Sequence, residues 1–430
     1  MKRATVAVID GGGRAHALVD KYLKSEHVAK VIAVPGNDLM LIDKNVKIFP
    51  QVKTTDISQI INICHLERAD IVDVAQDDAV AVGLCDSLLK EGFKVFGPTR
   101  KAGQIEWDKA WARNFMKKFK IPHPPFAICK SQKAGMDFIK SQKEDSWYVK
   151  ASGLAAGKGA IFAKDNQEAI KAIKEMQNFG SAGKTYLIEK YFTGEEFSSF
   201  ALVNGNKFQI VGHAQDHKQV FDGNMGPNTG GMGCSSPPGA ITKRIEKQIK
   251  NIFEKTVEGL VTIGRPYTGI LYLGSIIKYN KVYTIEFNAR WGDPEAQVVL
   301  PSIQNDYFDL VGQVLKGKIP KIIKDKKYRV VIAAASHGYP GDYTKVLGKE
   351  IQGLKKLTKS KIKLLGAGVK KENGKYVAAG GRLFYVLGEA ENVDSARKVA
   401  YNVLSQVSIE GDNLHYRKDI GYRDLQRLYE

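Results

Sequence analysis

The chain has 430 residues, 43% of them apolar and 26% charged, which is too long for one hydrophobic core and suits a protein of roughly two to four lobes. No run of about 18 apolar residues exists, so a helical membrane span is excluded; four scattered cysteines with no C-x-x-C pair argue against a disulfide framework or zinc knuckle, and Met1–Asp10 has no secretory layout, so a cytoplasmic location is expected. The net charge of +19 is carried by lysines spread along the chain and reads as a Lys-rich surface, with no nucleic-acid partner expected.

Strands at Thr5–Asp10, Val28–Val34, Asp70–Val74 and Lys94–Phe96 alternate with helices at Arg14–Lys24, Ile57–Leu66 and Ala79–Glu91. This alternation predicts a parallel α/β lobe over residues 1–103, closed by Gly97-Pro98-Thr99. A central domain, 104–326, opens with a helix at Lys109–Phe119 and a linker at Pro122, Pro124 and Pro125. Trp147–Lys150 and Ala160–Ala163 form a hairpin around a Gly-rich loop, followed by a helix at Glu168–Met176 and a strand at Thr185–Glu189; residues 124–192 or so make a flap subdomain. Strands follow at Phe208–Val211, Gly269–Ile277 and Val282–Phe287, with a helix at Lys243–Val261. A small α+β lobe, 327–430, has strands Val330–Ala335 and Arg382–Leu387 and a helix at Asp394–Gln406. The expected fold class is therefore multidomain, α/β then α+β.

Three Gly-rich stretches carry candidate chemistry. Asp10-Gly-Gly-Gly-Arg14 lies between strand and helix, where a phosphate could sit on the amides beside Arg14; the alternative is a tight turn with no ligand. A dinucleotide site fits poorly, because His16 holds the third glycine position and Val34 is followed by Pro35-Gly36-Asn37 rather than an acid. Lys150-Ala-Ser-Gly-Leu-Ala-Ala-Gly-Lys-Gly159 is not a P-loop: only three residues separate Gly153 from Gly157, Gly159 replaces the Ser/Thr, and the loop joins two strands. A hairpin flap closing over phosphates, with Lys150 or Lys158 adding charge, fits better. The polar stretch from Asp216 to Gly233 reads as a binding loop, although such a loop could also be disordered.

The segment Tyr283-Thr-Ile-Glu-Phe-Asn-Ala-Arg-Trp-Gly-Asp-Pro-Glu295 is the most informative. Residues two apart on a strand share a face, so Glu286 and Asn288 project together, Arg290 can follow them, and Ile285 and Phe287 face a core. Oxygen ligands without nearby Cys or His suit Mg²⁺. A merely solvated strand face is the plainer reading, weakened by the two further carboxylates in the Gly-Asp-Pro turn.

Together these pieces resemble the ATP-grasp ligases, and among them the phosphoribosylamine–glycine ligases of purine biosynthesis. The carriers span nearly the whole chain: Gly12-Gly13-Arg14 with His16-Ala17-Leu18, Pro35-Gly36-Asn37, Phe96-Gly97-Pro98-Thr99, Gly153-Leu-Ala-Ala-Gly-Lys-Gly159, Gly194-Glu-Glu196, Gln215-Asp-His-Lys218, Gly226-Pro-Asn-Thr-Gly-Gly-Met-Gly233, Glu286-Phe-Asn288 through Glu295, Gly338-Tyr-Pro-Gly-Asp-Tyr343, Gly380-Gly-Arg382 and Arg417-Lys-Asp-Ile-Gly421. The resemblance implies a pre-ATP-grasp lobe, an ATP-grasp domain and a C-terminal lobe. It implies ATP and Mg²⁺ (or Mn²⁺) as cofactors, phosphoribosylamine and glycine as substrates, and a monomer or small homo-oligomer. The reaction implied is ATP-dependent formation of glycinamide ribonucleotide through glycyl phosphate.

The same resemblance implies roles for residues. Lys109 and Lys150 hold ATP phosphates under the flap of Gly153, Gly157, Lys158 and Gly159. Glu189, Lys190 and Tyr191 form the adenine hinge, and Glu196, with Glu195, takes the ribose. Glu286 and Asn288 ligate the metal, while Arg290, Lys150 and Asp216 serve the chemistry. Asp216, His217, Lys218, Asn228, Thr229, Gly230, Gly231, Met232, Asp293 and Glu295 surround the substrates, and Gly12, Gly13, Arg14, Asn37 and Arg382 serve the phosphoribosyl end. The chain departs from the family pattern at Ala15 (usually Glu), Ala75-Gln76-Asp77 (usually Gly-Pro-Glu), Trp107-Asp108 (usually a small pair) and Ser152 (usually Asp). The changes in the first lobe leave a second reading open, a paralogous ligase with another amine or acid.

Overall fold

The computed structural model describes residues 3–155, 158–359 and 362–428. The first lobe comprises β1 (Ala4–Asp10), α1 (Gly13–Leu23), β2 (Val28–Pro35), β3 (Val46–Ile48), α2 (Ile57–Leu66), β4 (Ile71–Val74), α3 (Asp77–Val82), α4 (Leu84–Lys90) and β5 (Val95–Phe96). Its strands form one sheet in the order β3-β2-β1-β4-β5 with parallel pairing throughout. Val6, Val8, Val31 and Ala33 pack on one side of it, and Ala7, Ile9, Ile32 and Val72 on the other. Burial on both faces produces the apolar runs seen in the sequence. The single helix expected at Ala79–Glu91 is two, α3 and α4, separated by Gly83, whose φ of +89° ends the first helix in a left-handed turn.

Two helices, α5 (Arg100–Trp107) and α6 (Lys109–Lys118), lead to a four-stranded antiparallel subdomain. Its elements are β6 (Phe126–Cys129), α7 (Gln132–Ser141), β7 (Trp147–Ala151), β8 (Ala160–Ala163), α8 (Asn166–Glu175) and β9 (Tyr186–Lys190), with strand order β6-β9-β7-β8. Its core of Ile139, Trp147, Val149, Ala169, Ile173 and Ile188 is separate from the others. The expected flap hairpin is β7–β8. The Pro-rich linker gives way immediately to β6, a strand the sequence pattern did not reveal because Pro124 and Pro125 mask its start.

The remaining strands are β10 (Glu195–Gly205), β11 (Lys207–Asp216), β12 (Gln219–Phe221), β13 (Met225–Asn228), β14 (Gly233–Ser236), β15 (Tyr267–Lys278), β16 (Lys281–Asn288), β17 (Tyr328–Ser336), β18 (Lys363–Gly366), β19 (Val369–Glu372), β20 (Lys375–Ala378), β21 (Arg382–Ala390) and β22 (Leu414–His415). Between them lie α9 (Lys243–Thr262), α10 (Ala296–Val299), α11 (Tyr307–Leu315), α12 (Leu354–Leu357) and α13 (Val393–Leu404), with α14 (Tyr422–Gln426) last. The amphipathic α9 begins at a Thr242 cap and lays Ile245, Ile249, Ile252, Phe253, Val257 and Leu260 on the sheet.

One nine-stranded antiparallel sheet runs β16-β15-β10-β11-β14-β17-β21-β18, with β22 on β17. Of the C-terminal strands, β19 and β20 pair with each other, while β17, β18, β21 and β22 form no separate sheet. These four extend the central sheet through β14, where Gly233 pairs with Ile332. This four-residue Gly-Cys-Ser-Ser strand is too short and too small-sided to show periodicity. The sequence pattern also missed β10, whose buried run from Phe197 to Val203 shows no alternation.

Candidate active site

The site lies where the first lobe, the flap subdomain and the large sheet meet, and it is built outward from β16. Glu286 pairs with Gly274 and Asn288 with Tyr272 across β15, so both side chains share a face. Upstream the register slips: Ser275 faces Thr284, which leaves Ile285 as the extra residue of a β-bulge. The expectation that Ile285 joins Phe287 in the core is therefore corrected. Phe287 is buried in the core under α9, while the bulge turns Ile285 towards the cleft with Glu196, Asp216 and Lys218.

Cations converge on Glu286. Burial alone would raise its carboxyl, but Lys218, Lys109, Lys150 and Arg290 outweigh that and hold it below the usual value. Behind most of these cations stands a carboxylate. Lys150 Nζ is 2.6 Å from Glu189 Oε2, Lys218 Nζ 3.2 Å from Glu196 Oε2, and Arg290 Nη2 2.8 Å from Glu106 Oε1. Glu106 also accepts the Ala289 amide at 2.6 Å, and burial pushes its carboxyl up to about 7 against the pull of Arg290. Glu189 takes Arg113 Nε on its other oxygen. Its burial would raise the carboxyl, yet Arg113 and Lys150 lower it to about 2. Neither the Glu286 nor the Asn288 side chain has a hydrogen-bond or ion-pair partner among the described residues, so an oxygen pair is left open to a divalent cation, and the donor set suits Mg²⁺ or Mn²⁺.

Two family departures prove to be one contact. Asp108 caps α6 by accepting the Trp111 amide at 3.0 Å, and Ser152 Oγ donates to the same Asp108 oxygen at 2.8 Å. Ser152 accepts the Ala110 amide on Oγ and the Lys109 amide on its carbonyl, both at 2.9 Å. The two positions thus form one clasp that ties Lys109 to the base of the flap. Gly153 packs its Cα against Ala182 too closely for a side chain, as Gly159 does against Ala155. Lys158 is exposed, and Gly157 lies outside the described residues.

At the hinge, Lys190 donates its amide to Pro125 O at 2.9 Å. Proline has no N–H to return, so the Lys190 carbonyl is left out of the ladder, as an adenine amino group would require. Lys190 Nζ itself is 2.5 Å from Asp145, and the Tyr191 amide donates to Ser146 O. Strand alternation separates Glu195 from Glu196: Glu196 faces the cleft, while Glu195 turns to Arg427 and accepts from Gln215 Nε2 at 2.9 Å. Of the two carboxylates expected at the ribose, only Glu196 lines the cleft.

The loop from Asp216 to Gly233 is ordered by its own contacts. Thr229 donates its amide and hydroxyl to Lys218 O, and the carbonyls of Gly230 and Gly231 accept Arg382 Nη1 at 2.6 and 3.2 Å. Arg382 also meets Asp293 Oδ2 at 3.1 Å. Asp216 is pushed well above the carboxylate range by burial and by Glu295, and Glu295 accepts Ser198 Oγ at 2.9 Å. Asn228 is exposed and faces the Tyr148 hydroxyl. Two members of the expected set point elsewhere: the His217 ring is buried beneath Gly421 and Tyr422, which lowers its pKa to about 3, and Met232 packs in the C-terminal core.

The turn after β1 is more closed than the sequence suggests. Asp10 Oδ1 accepts the Gly11 and Gly12 amides at 2.7 and 3.2 Å. Arg14 gives Nε to Asp10 at 2.7 Å, Nη1 to Trp291 O at 3.0 Å and Nη2 to Gln76. Gly13 abuts Tyr385 and Gln297, and Gly12 lies near Asp293. Asn37 donates to Gly11 O and Gly366 O, leaving Oδ1 buried without a partner. Arg113, Glu106, Ser198, Tyr272 and Asp108 are site residues that sequence reasoning missed. Only Arg113, four residues after Lys109 on the same helical face, left a usable signal.

Residues 4–106, 107–296 and 329–423 match the sequence models of the phosphoribosylglycinamide synthetase N domain, ATP-grasp (A) domain and C domain. The phosphoribosylamine–glycine ligase of Streptococcus pneumoniae strain R6 is 37% identical over 437 residues, 97% of this chain and 99% of that protein. The trifunctional purine biosynthetic protein adenosine-3 of Homo sapiens is 36% identical over 99% of this chain, which spans 42% of its length. Among solved structures, phosphoribosylamine–glycine ligase from Thermotoga maritima superposes with a TM-score of 0.82 at 29% identity, covering 96% of this chain and 99% of that one.

Two outcomes follow for the cation network. Glu189→Gln leaves Arg113 and Lys150 without their buried counter-charge and costs about 3–5 kcal/mol at neutral pH. Because the folded carboxyl titrates near 2 and its ordinary value is 4.5, the gap in melting temperature to wild type narrows as pH falls through that window; a constant gap contradicts the assignment. Ser152→Asp sets two carboxylates side by side and weakens ATP binding. The exchange D108S/S152D recovers most of the loss, a coupling of about 1–3 kcal/mol in a double-mutant cycle, and additive effects would show that the clasp is unimportant.

Proposed function

The chain belongs to the phosphoribosylglycinamide synthetase family, and from that premise and the cleft's geometry we propose that it joins glycine to 5-phosphoribosylamine with cleavage of ATP to ADP and phosphate, giving glycinamide ribonucleotide. The observation that carries this reading is the convergence of Lys109, Lys150, Lys218 and Arg290 on Glu286, beside the open Asn288. A carboxylate is a poor electrophile, so glycine must be activated first. One of its oxygens attacks the γ-phosphorus of ATP, the bond to the β-phosphate oxygen breaks, and glycyl phosphate and ADP form. The amine nitrogen then attacks the carbonyl carbon, the carbon–oxygen bond breaks, phosphate leaves and the amine gives up a proton.

The obstacle to the first step is repulsion between anions, about 4 kcal/mol for two unit charges 4 Å apart at an effective dielectric near 20. In this reading Lys109 and Lys150 neutralise the phosphates, and Arg290, fixed by Glu106, the group in transfer. Glu286 and Asn288 would hold Mg²⁺ or Mn²⁺, which supplies further charge to the phosphate oxygens when bound. Asp216 and Glu295 offer carboxyl groups to the glycine ammonium. Gly231 lies against Pro294 and Asp216, and Gly292 against Glu295, so neither position has room for a side chain. The flap closes over the acyl phosphate and excludes water.

One observation favours a second reading, in which the same chemistry serves a different amine. Arg14 has each of its donating nitrogens engaged by protein acceptors, including Gln76 at a departure position, and Ala15 offers no carboxylate.

Glu286→Ala is expected to lower ATP turnover about 100-fold or more while the melting temperature stays within a few degrees of wild type; near-normal turnover would remove the metal role. Glycine-dependent ADP release, measured with and without freshly made phosphoribosylamine, separates the two readings. The main reading predicts sustained turnover and the mass of glycinamide ribonucleotide only when that amine is present.

A further inference from the structure

Arg113 lies on α6 one turn beyond Lys109 and is 2% exposed. Its guanidinium is used in three directions. Nε donates to Glu189 Oε1 on β9 of the flap subdomain. Nη1 donates to Thr284 O at 3.2 Å and Nη2 to Ile285 O, both on β16. Nη1 also lies 2.9 Å from Met116 Sδ, within its own helix. One buried side chain therefore touches the flap sheet and the strand that carries Glu286 and Asn288.

The two carbonyls it holds are those of the β-bulge. Ladder pairing breaks between Ser275–Thr284 and Gly274–Glu286, so the carbonyls of Thr284 and Ile285 need donor partners outside the ladder. The bulge also decides where Glu286 points, since a one-residue change of register exchanges the faces of a strand. On the other side, Glu189 Oε2 takes Lys150 Nζ at 2.6 Å. A planar fork with donors spread over three nitrogens can reach a carboxylate and two carbonyls at once, whereas a lysine ammonium presents its donors from a single point.

We propose that Arg113 is a positioning residue that locks Lys150 of the flap and Glu286 of the metal strand into one frame, so that cation and nucleotide phosphates are bound together. The proposal rests on the reading that Glu286 and Asn288 hold the divalent ion. It assigns Arg113 no contact with substrate; the residue acts through Glu189 and through the bulge.

The test uses the full-length Arg113→Lys variant. Mn²⁺ binding is followed by the electron paramagnetic resonance of the free ion in the presence of a non-hydrolysable ATP analogue, with thermal melting and steady-state kinetics alongside. Mn²⁺ affinity is expected to fall about 10- to 100-fold, as for the removal of groups that orient metal ligands. KM for ATP rises in parallel and KM for glycine stays within about twofold, a split that general loosening of the core does not produce. If the lysine variant does not fold, R113Q/E189Q, which removes both buried charges together, is measured in its place with the same expectation. Wild-type Mn²⁺ and nucleotide binding in a folded variant overturns the proposal. Glu286→Ala is titrated in parallel: lost Mn²⁺ binding there, with Arg113→Lys unchanged, rejects Arg113 alone, whereas unchanged binding in Glu286→Ala rejects the metal assignment beneath it.

Discussion

The structure is organised around keeping four like charges close together. Lys109, Lys150, Lys218 and Arg290 all act on the Glu286 carboxyl, an arrangement that a polyanionic nucleotide rewards and that its absence penalises. Three of the four have a carboxylate behind them, in Glu189, Glu196 and Glu106, and each comes from a different element: β9, β10 and α5. Each of these three cations is thus fixed in direction by its own carboxylate. Electrostatic preorganisation of this kind costs folding stability and saves reorganisation during the reaction.

Much of this was legible in the sequence where chemistry repeats at short spacing. The pairing of Glu286 with Asn288 follows from strand alternation alone, and the parallel lobe from alternating strand and helix. What was illegible depends on long-range contact. No local pattern reveals that Glu106 on α5 would orient Arg290, or that a bulge at Ile285 would turn an apolar residue into the cleft. Glu195 and Glu196 look equivalent in sequence until β10 is known to be a strand, after which period 2 alone separates them. Likewise, His217 sits in the densest polar motif of the chain, yet its ring is spent on Gly421 and Tyr422.

The departures from the family pattern divide into two kinds once their surroundings are known. Asp108 and Ser152 compensate one another across a 2.8 Å hydrogen bond and preserve the link between α6 and the flap. Ala15 and Gln76 are not a compensating pair of that sort: Gln76 engages Arg14, and Asp10 engages the first two amides of the turn. The first kind is thus a single contact between α6 and the base of the flap, and the second lies in the turn after β1.

The decisive measurement is a crystal structure of the protein with Mg²⁺ and a non-hydrolysable ATP analogue. A cation ligated by Glu286 and Asn288, about 2.0–2.1 Å from their oxygens, is expected, with Lys109 and Lys150 on the phosphates. A cation bound elsewhere, with both side chains left unligated, would contradict the metal assignment.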